Sequence, residues 1–201
     1  MALSDWDELG EETLLRYKVF DVVKARRRSP RTGADIGFFL VRTPDWVNVV
    51  ALTDRDELVL VRQYRHGTRA MSLEIPGGLI DSHETDPAAA ARRELREETG
   101  FEAAAIEPLG AMTPNPAIFT NRCFAFLATG CRRVGDLLQD PGEDLEVVLV
   151  PAAEVDALIR SGAIDHSLVL AALAMWRSRQ HPPPAGRGSA APGPEPGCPT
   201  P

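Results

Sequence analysis

Apolar residues recur in this chain at two spacings. Over Glu57–Arg65 they alternate: Leu58, Leu60, Arg62 and Tyr64 share one face, and Val59, Val61, Gln63 and Arg65 the other. This predicts a strand, and the polar ends of both rows indicate that it leaves the core and enters a site. β-branched and aromatic runs predict further strands over 16–24, 36–42, 46–53, 121–130 and 144–151. The first two, joined across the basic stretch 25–28 and the turn Ser29-Pro30-Arg31-Thr32-Gly33, read as a hairpin. Asp54-Arg55-Asp56 turns the chain between the next two, and a short strand over 72–80 is broken at Pro76-Gly77-Gly78. Helical spacing takes over from Pro87 to Thr99, with Asp86 as N-cap and Gly100 as stop, then again over 152–162 and 165–179. The order of elements predicts an α/β fold with a mixed sheet flanked by helices.

Composition adds limits. The chain has 201 residues, is 44% hydrophobic and 25% charged, and carries a net charge of −7, which suits one domain able to bury a core. Residues from His181 onward are mostly Pro, Gly, Ala and Ser, so 179–201 is expected to be a disordered tail. Residues 1–45 are expected to be an N-terminal strand element and 46–178 the main domain. No apolar run approaches the roughly 20 residues of a bilayer span, so no membrane partner is expected. The acidic N-terminus lacks the order of a signal peptide. Cys123, Cys131 and Cys198 have no metal-ligand spacing and read as reduced thiols of a cytoplasmic protein. A pI near 5.2 argues against nucleic acid as an electrostatic partner.

The chemistry lies in the helix over 87–99. At about 100° per residue, Ala88, Ala91 and Leu95 form an apolar arc, Arg92 and Arg96 point to solvent, and Glu94, Glu97 and Glu98 fall on a third arc. Ala90, one turn before Glu94, leaves room there. Arg93 pairs with Glu97 at i+4, but one arginine does not neutralise three converging carboxylates. A hard divalent ion does, and Mg²⁺ commonly bridges carboxylates to substrate phosphates. The plain alternative is a solvated acidic face.

The surrounding text decides between these. Gly78, then Glu84, then Arg93-Glu94-Leu95-Arg96-Glu97-Glu98-Thr99-Gly100-Phe101 resembles the Nudix box, a glycine and a glutamate followed by R-E-U-x-E-E-x-G-U, where U is a bulky apolar residue. One departure is an extra residue: eight separate Glu84 from Arg93 where the pattern has seven, and the addition falls at Thr85-Asp86-Pro87. The resemblance implies a Nudix α/β/α sandwich that hydrolyses pyrophosphates with Mg²⁺ or Mn²⁺. It also implies that Glu94 and Glu98 ligate metal, that Glu97 ligates a further ion, that the Gly77 carbonyl completes a site, and that Glu84 braces Arg93. In similar proteins a later loop supplies the base that activates water, which points to Glu143, with Asp144 and Glu146 as rivals.

Outside the box, the stretches 62–78 and 113–128, including Pro116, are similar to the ADP-ribose pyrophosphatase and nucleoside-diphosphate-sugar branch. That branch implies ADP-ribose as substrate, GDP-mannose or another nucleotide sugar as the alternative, and a nucleotide-sensing Nudix domain as the non-catalytic one. It further implies a homodimer in which an N-terminal antiparallel strand pair is exchanged. Arg65 is placed to clamp a phosphate, or is a surface arginine. Glu74 accepts from base or ribose, or forms a structural ion pair. Trp46 stacks a base or packs in the core. Arg27, with Arg26 and Arg28, reaches a diphosphate across the dimer or lies in a solvated turn. His66 and His83 read as acid-base groups or as loop residues, and Met175 and Trp176 as packing.

Overall fold

A computed structural model describes residues 4–138, 142 and 144–180. Eleven strands and three helices follow in chain order. They are β1 (Asp7–Arg16), β2 (Asp21–Arg28), β3 (Asp35–Arg42), β4 (Trp46–Thr53), β5 (Glu57–Arg65), β6 (Ala70–Glu74), β7 (Gly77–Leu79), α1 (Pro87–Thr99), β8 (Phe101–Glu102), β9 (Ala105–Met112), β10 (Cys123–Arg133), β11 (Leu145–Pro151), α2 (Val155–Arg160) and α3 (Ser167–Gln180). The larger sheet runs β11-β5-β4-β10-β8, with β6 beside β5, β7 beside β4 and β9 beside β10. β4 and β10 are parallel and the other pairs antiparallel, so the sheet is mixed.

The alternation in β5 does what its pattern predicts. Leu58 and Leu60 join Val50, Ala172, Leu173 and Trp176 in a core beneath α3. Val59 joins Val47, Val49, Phe126, Ala90, Ala91 and Leu95 in a second core beneath α1. The sheet thus separates two helical layers, the α/β/α arrangement. Trp176 is a core residue, and Met175 packs on the same cluster.

Several details differ from the sequence reading, beginning with the run 16–24, which is not one strand: Arg16 ends β1 and Asp21 opens β2. The N-terminal sheet has three strands, ordered β1-β2-β3, rather than two. Its first strand, DELGEETLLR, is almost wholly exposed and so carries no apolar alternation to read. It is held by its antiparallel backbone ladder with β2, to which cross-strand charge adds: Arg27 donates to Glu11 at 2.8 Å and lies 3.4 Å from Glu8. Arg26, Arg27 and Arg28 accordingly belong to β2, not to a turn. On α1 the buried apolar face is Ala90, Ala91 and Leu95, so Ala90 packs in the core and does not line a gap beside the acids. Arg96 is partly covered, donating to the Asp136 carbonyl at 2.8 Å. At the other end of the chain, α3 continues through Arg179 and Gln180; residues 181–201 lie outside those described.

The caps of α1 fix its length. Asp86 is extended and its Oδ1 accepts from Ala88 N at 2.9 Å, with Pro87 opening the helix. Gly100 closes it at φ 74°, and a Cβ there would stand 2.3 Å from the Gly135 carbonyl oxygen.

Candidate active site

A cleft of about 1120 Å³ opens where α1 faces β7 and the ends of β5 and β6. Glu94, Glu97 and Glu98 line it from α1, Gly77 and Gly78 from β7, and Arg65 and His66 from the end of β5. Asp144 and His166 line it from later in the chain. The carboxylates are set at different depths. Glu94 and Glu98 are buried, at 8% and 5% exposure, whereas Glu97 is half-exposed.

Arg93 organises the acids. Its Nε donates to Glu84 Oε1 at 3.0 Å and its Nη2 to Glu84 Oε2 at 2.9 Å. Nη2 also reaches the Leu79 carbonyl, and Nη1 donates to Glu94 at 2.8 Å and Glu97 at 2.9 Å. The hydrogen bonds to Glu84, opposed in part by burial and reinforced by those to Glu97 and Glu94, raise the guanidinium's already high pKa. Glu84 responds oppositely: the Arg93 hydrogen bond lowers its carboxyl below the usual range. The additional residue before α1 leaves the brace intact, since it falls in the irregular stretch 84–86 that ends at the Asp86 cap.

The two glycines are required by close approach. Gly77 N donates to Glu98 Oε2 at 2.9 Å, and a Cβ on Gly77 would stand 2.2 Å from the Val47 carbonyl oxygen. A Cβ on Gly78 would stand 2.5 Å from Glu94 Oε1. Backbone and carboxylates meet here with no space for a side chain.

The donor set is all oxygen: three glutamates and the backbone beside Gly77. It suits a hard divalent cation and no soft metal. Among the described residues no three His, Cys, Asp or Glu side chains are gathered closely enough to form a ready cage. Arg93 Nη1 bridges Glu94 and Glu97, which ties two of the three acids to one cation.

Other sequence candidates are sorted by position. Arg65 lines the cleft and holds Glu74 in a two-pronged pair, with Nε–Oε1 and Nη2–Oε2 both at 2.7 Å. Glu74 itself is 3% exposed, so both its oxygens serve the ion pair. Burial works to raise its carboxyl, and the Arg65 hydrogen bond and charge outweigh it, leaving the pKa lowered. Trp46 sits edge-on to Phe119 with ring centroids 5.8 Å apart, away from the cleft. Arg27 and Pro116 do not line the cleft of their own chain. Glu143 lies outside the described residues; Asp144 lines the cleft, and Glu146 is paired with Arg62 at 2.8 Å. His66 lines the cleft in edge contact with Tyr64, while His83 is exposed and does not. The sequence reading passed over His166, Tyr64 and Asp81. Tyr64 and Asp81 were legible as polar positions flanking the strand end and the glycines; a lone histidine ahead of a helix gave no signal.

This combination of sandwich, glycine turn and glutamate helix defines a class, and the comparisons agree. The chain matches the NUDIX domain over residues 42–173 and belongs to that family. It is 31% identical over 172 residues to the ADP-ribose pyrophosphatase of Mycobacterium tuberculosis, covering 85% of this chain and 83% of that one. It is 30% identical over 154 residues to a CMP-5'-(N-acetyl-N-hydroxy-3-aminopropyl)phosphonate hydrolase of Streptomyces rubellomurinus, covering 75% and 74%. A crystal structure of an ADP compounds hydrolase superposes with a TM-score of 0.78 at 27% identity, covering 89% of this chain and 96% of that one. The protein is a Nudix pyrophosphohydrolase of the branch that contains the ADP-ribose pyrophosphatases.

Proposed function

We propose that the protein hydrolyses the pyrophosphate bond of a nucleoside diphosphate sugar, with ADP-ribose the preferred substrate and AMP and ribose 5-phosphate the products. The observation that carries this is the meeting of Glu94, Glu97 and Glu98 with the Gly77-Gly78 backbone in one cleft. Its relatives' names support the substrate class. Bound Mg²⁺ or Mn²⁺ would neutralise the diphosphate and polarise it toward attack. Glu94, Glu97, Glu98 and the Gly77 carbonyl would hold it, and Glu84 with Arg93 would keep those carboxylates aimed.

The remaining roles follow from charge and reach. Water adds to one phosphorus, the bridging P–O bond breaks, and the other phosphate leaves. Either Glu143, the first candidate by resemblance, or Asp144, which lines the cleft, takes the water's proton. Arg65 binds phosphate, and Glu74 sets its orientation. A homodimer would bring Arg27 of one chain toward the site of the other. The exposed Tyr17, Phe20, Phe38 and Phe39 around the N-terminal sheet supply an apolar surface for such pairing.

Product analysis after incubation with ADP-ribose, GDP-mannose, NADH and diadenosine polyphosphates, with and without Mg²⁺, tests the reading. ADP-ribose turnover that needs the metal is expected, with Glu98→Gln slowed about 10²-fold or more and still folded. Turnover without metal overturns the mechanism, preference for GDP-mannose overturns the substrate, and nucleotide binding without turnover makes the protein a sensor.

A further inference from the structure

A histidine stands immediately ahead of α3. His166 lines the same cleft as the carboxylates of α1. Its backbone is fixed, since its carbonyl accepts from Leu170 N at 3.0 Å and Ile164 and Val169 on either side are each 1% exposed. Its imidazole is not committed to the protein: Nδ1 is enclosed and has no hydrogen-bond partner. Its acidic neighbour is Glu74, both of whose oxygens accept from Arg65.

The unused nitrogen determines the tautomer. A buried N–H without an acceptor is rarer and costlier than an idle lone pair. The neutral ring therefore keeps Nδ1 bare and carries its proton on Nε2, the nitrogen on the accessible edge. His166 shares that cleft with the cations Arg65 and Arg93 and the acids Glu94, Glu97 and Glu98.

We propose that His166 is a substrate-binding residue, donating an Nε2–H hydrogen bond to an oxygen of the bound nucleotide diphosphate ester. It acts in the cleft that Arg65, Glu94, Glu97 and Glu98 also line. Its contribution is to affinity and placement of the ligand, not to handling the attacking water. The inference rests on the pyrophosphohydrolase reading above.

Three replacements separate the donor from the ring. His166→Phe keeps the shape and removes the N–H, His166→Gln places an amide N–H near the position of Nε2, and His166→Asn places one near Nδ1. For steady-state hydrolysis of ADP-ribose, His166→Phe and His166→Asn are expected to raise KM about tenfold. kcat, the Mg²⁺ requirement and the melting temperature should stay near wild type, and His166→Gln should recover most of the KM. Product inhibition by AMP and by ribose 5-phosphate identifies which half of the ligand is held, as the inhibitor whose constant shifts in His166→Phe. An unchanged KM in His166→Phe overturns the proposal, as does equal loss in all three with lowered melting temperature. Calorimetry with α,β-methylene-ADP-ribose and Mg²⁺ separates the two readings. Wild-type binding without hydrolysis refutes only the enzyme reading, and the same variants then report on His166 through affinity. No binding and no hydrolysis refute both.

Discussion

Arg93 holds Glu84 with two parallel hydrogen bonds, Nε to Oε1 at 3.0 Å and Nη2 to Oε2 at 2.9 Å. The remaining nitrogen, Nη1, is thereby turned toward Glu94 and Glu97. A lysine has one point of attachment and no fork, so it cannot satisfy Glu84, the Leu79 carbonyl and the two helix acids together. Arg93→Lys is expected to lower kcat by about 10- to 100-fold, the usual cost of losing support behind metal-binding ligands. It should also destabilise the fold by about 2 kcal/mol, as the mostly buried Glu94 loses part of its compensation. Chemical denaturation and steady-state kinetics on the same preparation check both. Wild-type kcat in Arg93→Lys contradicts the bracing role.

The neighbouring glycines should fail in different ways. Gly78→Ala would push a methyl to 2.5 Å from Glu94 Oε1, the end of a side chain that can swing. Gly77→Ala would meet the Val47 carbonyl at 2.2 Å, which is backbone in a paired strand. Gly78→Ala is therefore expected to keep most of its stability and lose most of its activity. Gly77→Ala should lose about 1–3 kcal/mol of stability as well, typical of overpacking. Thermal melts compared with activity at a permissive temperature distinguish the two, and a Gly77→Ala protein as stable as wild type refutes the packing argument.

The parts of the molecule legible in sequence are those whose residue types answer to a single constraint. α1 carries its cap, its stop and its glutamate arc in consecutive residues, and Glu84 meets Arg93 as the pattern implies. β5 alternates because it separates two cores. β1 is hidden because its faces are almost wholly exposed and it is joined to β2 mainly through the backbone. Ala88 and Ala90 are indistinguishable by composition; both pack on the core beneath α1, Ala90 fully and Ala88 in part. Trp46 and Glu74 each have two chemically sound roles in sequence, and their contacts, Phe119 for the first and Arg65 across a hairpin for the second, come from distant parts of the chain. His166 was silent because a cleft assembled from chain ends leaves no local periodicity.

Burial makes two of the thiols inert. Desolvation pushes Cys123 up to about 12 and Cys131 up to about 11, with nearby Asp45 and Asp54 adding to the rise. Thiolate, not thiol, is the nucleophile, so at pH 8 both should resist alkylation. In a Cys198→Ser protein, iodoacetamide is expected to label neither cysteine until denaturant is added, and both afterwards, as read by intact mass. Rapid labelling of Cys131 in the folded protein would contradict its enclosure in the core beneath α1.

The Arg65–Glu74 pair predicts a pH dependence of stability. Burial opposes the charged carboxylate, and Arg65 more than compensates, so the folded pKa of Glu74 lies below its ordinary value of 4.5. A carboxyl lowered in the folded state contributes stability above its unfolded pKa and loses it as pH falls through the folded one. The stability gap between wild type and Glu74→Gln should thus be widest near pH 7 and narrow below about pH 4.5. Arg65→Ala reverses the local balance. It leaves Glu74 buried without its partner, so burial alone governs and the carboxyl should shift upward. Because Arg65 is itself 43% exposed, its loss should cost less than a fully buried pair, about 1–2 kcal/mol at pH 7. That deficit should shrink on acidification, as the stranded carboxyl takes up a proton and the penalty on its charge disappears. Urea unfolding of the three proteins from pH 7 to pH 4 tests the sign. A deficit in Arg65→Ala that grows as pH falls would show that Glu74 is not the group Arg65 neutralises.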